Sequence, residues 1–157
     1  MAYSQLQKLE ANVHIKASAE QFHDVLCNRT HHIANILPKK IHSVEIHQGE
    51  WGTEGSIISW NYLLDGKVGV AKEVVESVDK ENHKTNFKVI EGDLLRHYKS
   101  FRLIGQAIPK ENGSVVHWVL EYEKQTGHTS DPYTLLDLTI EMSKEIGAYL
   151  TQQNITK

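Results

Sequence analysis

Cysteine is almost absent from this sequence of 157 residues: Cys27 stands alone, so no internal disulfide can form. That usage suits a reducing compartment, and a cytoplasmic location is the expectation. Long apolar runs are missing as well. None approaches the length that spans a bilayer, and Met1 to Lys16 alternates polar and apolar residues where a secretory leader would carry an apolar core. Membrane insertion is therefore not expected, and the Asn-x-Ser/Thr triplets at Asn28, Asn112 and Asn154 read as chance rather than as glycosylation sites. Positive charge is not in excess either. With a formal net charge of −3, the chain offers no electrostatic footprint for nucleic acid or an anionic surface.

Several chemical signatures are lacking too. Ten histidines invite a metal reading, but His31 and His32 are adjacent and diverge by about 100° on a helix. His42 and His47 are five apart, which puts them on opposite faces of a strand. No Cys-x-x-Cys or His-Glu-x-x-His spacing occurs, so neither a metal nor another cofactor is expected. The glycine turn with Gly49, Gly52 and Gly55 has no Gly-Lys-Ser/Thr ending and no following helix, and Glu50 and Glu54 would repel phosphate. It reads as a turn that needs positive φ, or as a mobile lip over a pocket. Cys27 falls near the end of a short helix with no Cys-His motif beside it, which makes it a structural thiol.

What is present is a run of strands closed by one long helix. Asp131 to Gln153 opens on a capping aspartate and Pro132. Leu135, Leu138, Met142, Ile146 and Tyr149 then recur on one helical face, widened by Leu136, Ile140 and Leu150. So wide a stripe needs a large cover. Before it, Leu9, Ala11, Val13 and Ile15 alternate as a half-buried strand, and Ser18 with Gln21 forms a capping box ahead of Phe22, Val25 and Leu26. A second short helix carries Ile33, Ile36 and Leu37 and ends at Pro38. Six strands follow: Ile41 to His47, Ser56 to Leu64, Lys67 to Val78, His83 to Ile90, Leu95 to Ile108 and Val115 to Tyr122. Asp65-Gly66 is a two-residue hairpin turn. With no repeat, linker or low-complexity tract, the chain reads as a single domain over 1–157, of α+β class with an antiparallel sheet. Patterning leaves open whether helix and sheet meet in a solid core or enclose a void.

Short motifs along the chain carry a resemblance. They are Gly49-Glu50-Trp51, Gly55-Ser56-Ile57, Trp60-Asn61-Tyr62, Asp65-Gly66-Lys67, Lys72-Glu73, Val78-Asp79 and Val89-Ile90-Glu91-Gly92-Asp93-Leu94. His97-Tyr98-Lys99-Ser100-Phe101, Trp118, Glu121-Tyr122-Glu123-Lys124 and Asp131-Pro132 complete the set. In this order the sequence resembles the plant major latex protein-like branch of the Bet v I superfamily, the class-ten pathogenesis-related proteins. The resemblance implies a helix-grip fold, with seven curled antiparallel strands around the C-terminal helix and two short helices closing one end. It implies an internal cavity, a cytosolic plant protein linked to defence and stress, and hydrophobic small molecules as cargo. A few relatives in the superfamily are alkaloid-forming synthases or isomerases, but no motif marking those enzymes is identified here.

Candidate site residues follow from the presumed inner faces. Phe22, Ile58, Trp60, Tyr62, Val70, Phe87 and Phe101 come from the first helix and the sheet; Leu138, Met142 and Ile146 come from the long helix. As a set they would line a cavity. Trp60 and Tyr62 would offer one N–H and one O–H to orient a ligand, and Met142 would add adaptability. Lys72 falls in phase with Val68, Val70 and Val74, and His97 and Lys99 with Phe101 and Leu103. Facing inward, such groups would be desolvated into acid–base or Schiff-base chemistry; at the rim they would be snorkelling side chains. The expected function is a carrier or sensor of steroid-, flavonoid-, hormone- or alkaloid-like molecules. The alternative is an isomerase or condensation enzyme using the same cavity. A defence-linked interaction protein or ribonuclease is a third reading, though no basic groove supports the latter. The oligomeric state is not legible.

Overall fold

The computed structural model describes residues 5–155, and of 153–155 the backbone alone. The first four positions of the expected N-terminal alternation and the side chain of Asn154 lie outside the described residues. Seven strands form one antiparallel sheet: β1 (Leu6–Ile15), β2 (Ile41–Gln48), β3 (Ile57–Leu64), β4 (Lys67–Asp79), β5 (Lys84–Gly92), β6 (Tyr98–Lys110) and β7 (Gly113–Lys124). Their spatial order is β1-β7-β6-β5-β4-β3-β2. β2 to β7 therefore form a meander, and the chain between β1 and β2 must pass from one edge of the sheet to the other. It does so through α1 (Ala19–His23), a π-helical turn (Asp24–Asn28), a single 3₁₀ turn and α2 (Ile33–Ile36). The long helix α3 (Tyr133–Ile155) lies against the concave face.

Local chemistry sets these elements. The Ser18 hydroxyl accepts from the Gln21 backbone N–H at 3.1 Å, and the Gln21 side chain accepts from the Ser18 N–H at 3.2 Å, which closes the capping box of α1. Asp65 and Gly66 have φ of 52° and 75°, the left-handed pair that a type I′ hairpin requires. This tight turn fixes the register of β3 on β4, pairing Tyr62 with Gly69, Trp60 with Ala71 and Ile58 with Glu73. On β7, Val116, Trp118, Leu120 and Tyr122 are all buried, as their alternation predicts.

Three local expectations are corrected. β6 starts at Tyr98 rather than Leu95, because Asp93–Arg96 form a 3₁₀ turn after Gly92, whose φ is 122°. The Asp131 carboxylate is not a helix cap: Oδ1 accepts from the Tyr122 phenol at 2.7 Å and lies 3.0 Å from Lys124 Nζ, so charge-assisted partners on β7 hold it away from the helix start. On α3, Tyr149 is 36% exposed and Leu150 takes the inward place.

Candidate functional site

The sheet and α3 enclose a cavity of about 60 Å³. Neighbouring strands supply Trp60 and Tyr62 from β3, Ala71 and Glu73 from β4, Phe87 from β5, and Leu103 and Trp118 from β6 and β7. Leu135, Leu138, Thr139 and Met142 of α3 close the other side. Across β3 and β4, small residues stand opposite large ones: Gly69 opposite Tyr62 and Ala71 opposite Trp60. A methyl group added at Gly69 would come within 2.8 Å of the Tyr62 ring. Leu94 and Leu103 are the lining residues that are not fully buried. Leu103 pairs with Phe87 one step before the β5–β6 ladder stops at Lys88 and Arg102, and Leu94 belongs to the 3₁₀ turn that follows β5.

Of the residues expected to line a pocket, Trp60, Tyr62, Phe87, Leu138 and Met142 stand in its wall. Phe22, Ile58, Phe101 and Ile146 are fully buried in the solid core beside it. Phe101 stacks on Tyr122 with ring centres 5.8 Å apart and meets Tyr98 edge-on at 5.0 Å. Val70 is a correction: it is 41% exposed and points outward. Lys72 shares that outward phase and pairs with Glu91 at 2.8 Å. His97 and Lys99 are also exposed. The register shift between Tyr98 and Ser100 inserts an extra residue, so Lys99 falls out of phase with Phe101. None of the three acid–base candidates reaches the cavity wall.

The acidic side chain that does is Glu73. It is 5% exposed, and among the described residues it forms no ion pair. Burial pushes its carboxyl up to about 8, opposed by the nearby Trp60 indole. At neutral pH the acid is therefore mostly protonated. Trp60 Nε1 is itself buried without a partner that meets hydrogen-bond geometry. Burial, with Asp93 and Glu73 adding repulsion, pushes the Tyr62 phenol up to about 12, so it stays neutral too. By contrast, the Trp118 indole donates to Ser143 Oγ at 2.7 Å, and Ser143 donates to Thr139 O at 2.8 Å. Periodicity hid Glu73 because a glutamate next to Lys72, with only the small Ala71 before it in phase, reads as surface.

The glycine turn is tied down. Gly49, Gly52 and Gly55 have φ of 90°, 80° and 88°, and a methyl at Gly52 would collide with the Asn28 side chain. Ser56 Oγ donates to Glu50 O at 2.7 Å, and Trp51 stacks on His31 at 4.4 Å, fixing the turn to the short helices.

Seven antiparallel strands gripping one C-terminal helix over a lined cavity define a helix-grip protein. The chain belongs to the Pathogenesis-related protein Bet v 1 family, whose model matches residues 4–153. It is 48% identical to MLP-like protein 43 of Arabidopsis thaliana over 95% of this chain and 96% of that one. Two further relatives of similar identity are longer, and the chain spans 46% and 45% of their length. The crystal structure of ginseng major latex-like protein 151 from Panax ginseng superposes with a TM-score of 0.89 at 34% identity, over 92% of this chain and 97% of that one. Norcoclaurine synthase from Thalictrum flavum shares the fold at 18% identity, with a TM-score of 0.77 over 98% of this chain and 99% of that one. No helix among the described residues is long and apolar enough to cross a membrane.

Proposed function

We propose that this protein is a cytosolic carrier or sensor that takes an apolar or amphipathic small molecule of the steroid, flavonoid, hormone or alkaloid kind into the cavity beneath α3, as part of a defence or stress response. The observation that carries this reading is the void itself, walled by Trp60, Tyr62, Phe87 and Trp118 rather than filled by them. Its size sets a condition. An engineered apolar cavity of about 150 Å³ admits benzene, so about 60 Å³ is too little for a polycyclic ligand. Loading requires the wall to yield, and its incompletely buried members, Leu94 and Leu103, mark the side from which a ligand would enter. Once inside, a ligand hiding about 400 Å² of apolar surface gains roughly 10 kcal/mol. Association consumes at least about 4 kcal/mol of that, which leaves affinities near tens of micromolar. The outward placement of Lys72, His97 and Lys99 favours this reading over an acid–base enzyme built on them. Titration with an environment-sensitive apolar fluorophore tests it. Saturable binding displaced by flavonoids, steroids or plant hormones is expected; an unsaturable signal with no displacement would refute it.

A further inference from the structure

The cavity wall holds one group that a purely apolar cargo would leave unsatisfied. We propose that Glu73 and Trp60 form a polar subsite that selects ligands bearing a protonated amine on an apolar body. This rests on the cavity being a ligand site. The indole N–H is a donor only, and here it faces the Glu73 carboxyl, close enough to favour its ionised form but without closing a hydrogen bond of good geometry. A protonated carboxyl is a weak acceptor for it; an ionised one has lone pairs to spare. The pair is thus complementary to the ionised state of Glu73, which needs a cation that the protein does not supply. Among the described residues, no Lys, Arg or His lines the wall.

An ammonium group supplies that cation. It would donate to the Glu73 oxygens, leave one free to accept from Trp60 Nε1, and meet the aromatic faces around it, which attract positive charge. A hydroxyl brings no charge to stabilise the carboxylate, and an anionic ligand meets only a buried acid and finds no counter-charge. The proton balance follows. At pH 6.5 Glu73 is neutral and the amine charged, so forming the ion pair releases the carboxyl proton to solvent. Tyr62 is the other titratable side chain on the wall and stays protonated throughout; α3 contributes Leu135, Leu138, Thr139 and Met142, and β5 contributes Phe87, none of them charged.

The test uses three ligands of matched size: 2-phenylethylamine, 2-phenylethanol and 3-phenylpropanoate. Each is titrated calorimetrically into the full chain at pH 6.5, in two buffers of different ionisation enthalpy. The amine is expected to bind at least about ten-fold more tightly than the alcohol, with about one proton released, and the carboxylate more weakly than either. Glu73→Gln is expected to abolish the proton release and the amine preference, so that the amine binds no more tightly than the alcohol. An amine that binds no better than the alcohol, or without proton release in the unaltered protein, overturns the proposal. If the alcohol and the fluorophore still bind, the carrier reading survives that failure. If neither the three ligands nor the fluorophore bind, both readings fall.

Discussion

A carboxyl held neutral in the core should make the protein less stable as pH rises, and the size of the effect follows from the burial of Glu73. Its pKa moves from 4.5 to about 8 on folding. Between those values the native state holds a proton that the unfolded chain has released, so stability falls with rising pH. Each unit corresponds to about 1.4 kcal/mol. From 4.5 to pH 7 this gives about 3 kcal/mol, and the loss levels off near about 5 kcal/mol above pH 8. Glu73→Gln keeps the shape and removes the titration. Relative to the unaltered protein, the variant should gain less than about 1 kcal/mol at pH 5 and about 3 kcal/mol at pH 7. Urea unfolding of both proteins from pH 5 to pH 8, without ligand, measures the difference. With slopes of about 1–3 kcal/mol per molar for a domain of this kind, the midpoints should separate by about 1–3 M at pH 7. Other titrating groups cancel because they are common to both chains. A stability difference that stays flat across this range would refute the reasoning, because it would mean that Glu73 ionises in the folded protein as it does in water.

Two further substitutions probe the helix side of the cavity. Ser143→Ala removes the acceptor of the buried Trp118 indole and should cost about 1–3 kcal/mol, read as a lower thermal midpoint; an unchanged midpoint would show that the bond contributes nothing net. Met142→Ala should cost about 2–5 kcal/mol while widening the cavity, and the apolar fluorophore should then bind more tightly. Lost stability with unaltered probe affinity would place the probe elsewhere.

Much of the fold was legible because the strands of an open antiparallel sheet alternate. The inner residues of β7 and β5, the capping box of α1 and the Asp65-Gly66 turn could all be read from residue types. β4 failed because its inward positions, Gly69 and Ala71, are too small to register as apolar, while Val68, Val70 and Val74 on the outer face register strongly. The signal that corrects this was present. A two-residue turn fixes the pairing, and counting back from Asp65-Gly66 sets Gly69, Ala71 and Glu73 opposite Tyr62, Trp60 and Ile58. Cross-strand partners share a face, so Glu73 belonged inside. The phase of His97 and Lys99 was not recoverable in that way. It depends on the short turn at Asp93–Arg96 and on a bulge that no residue type announces. The cavity lining was legible only where an aromatic or a helix residue stood in the stripe, since a void is a property of how side chains fail to fill space.

Gly69 and Ala71 therefore have a consequence beyond their own strand. They are the floor on which Tyr62 and Trp60 rest, and the room above is governed by how low those two rings can lie. A methyl at the first position would press on the Tyr62 ring at 2.8 Å, and a bulkier residue at the second would crowd the indole and the wall it shares. Either change shrinks the chamber while leaving every turn, cap and ladder as it was. Capacity in this scaffold can thus be reset from a single β-ribbon, without renegotiating the architecture that surrounds it.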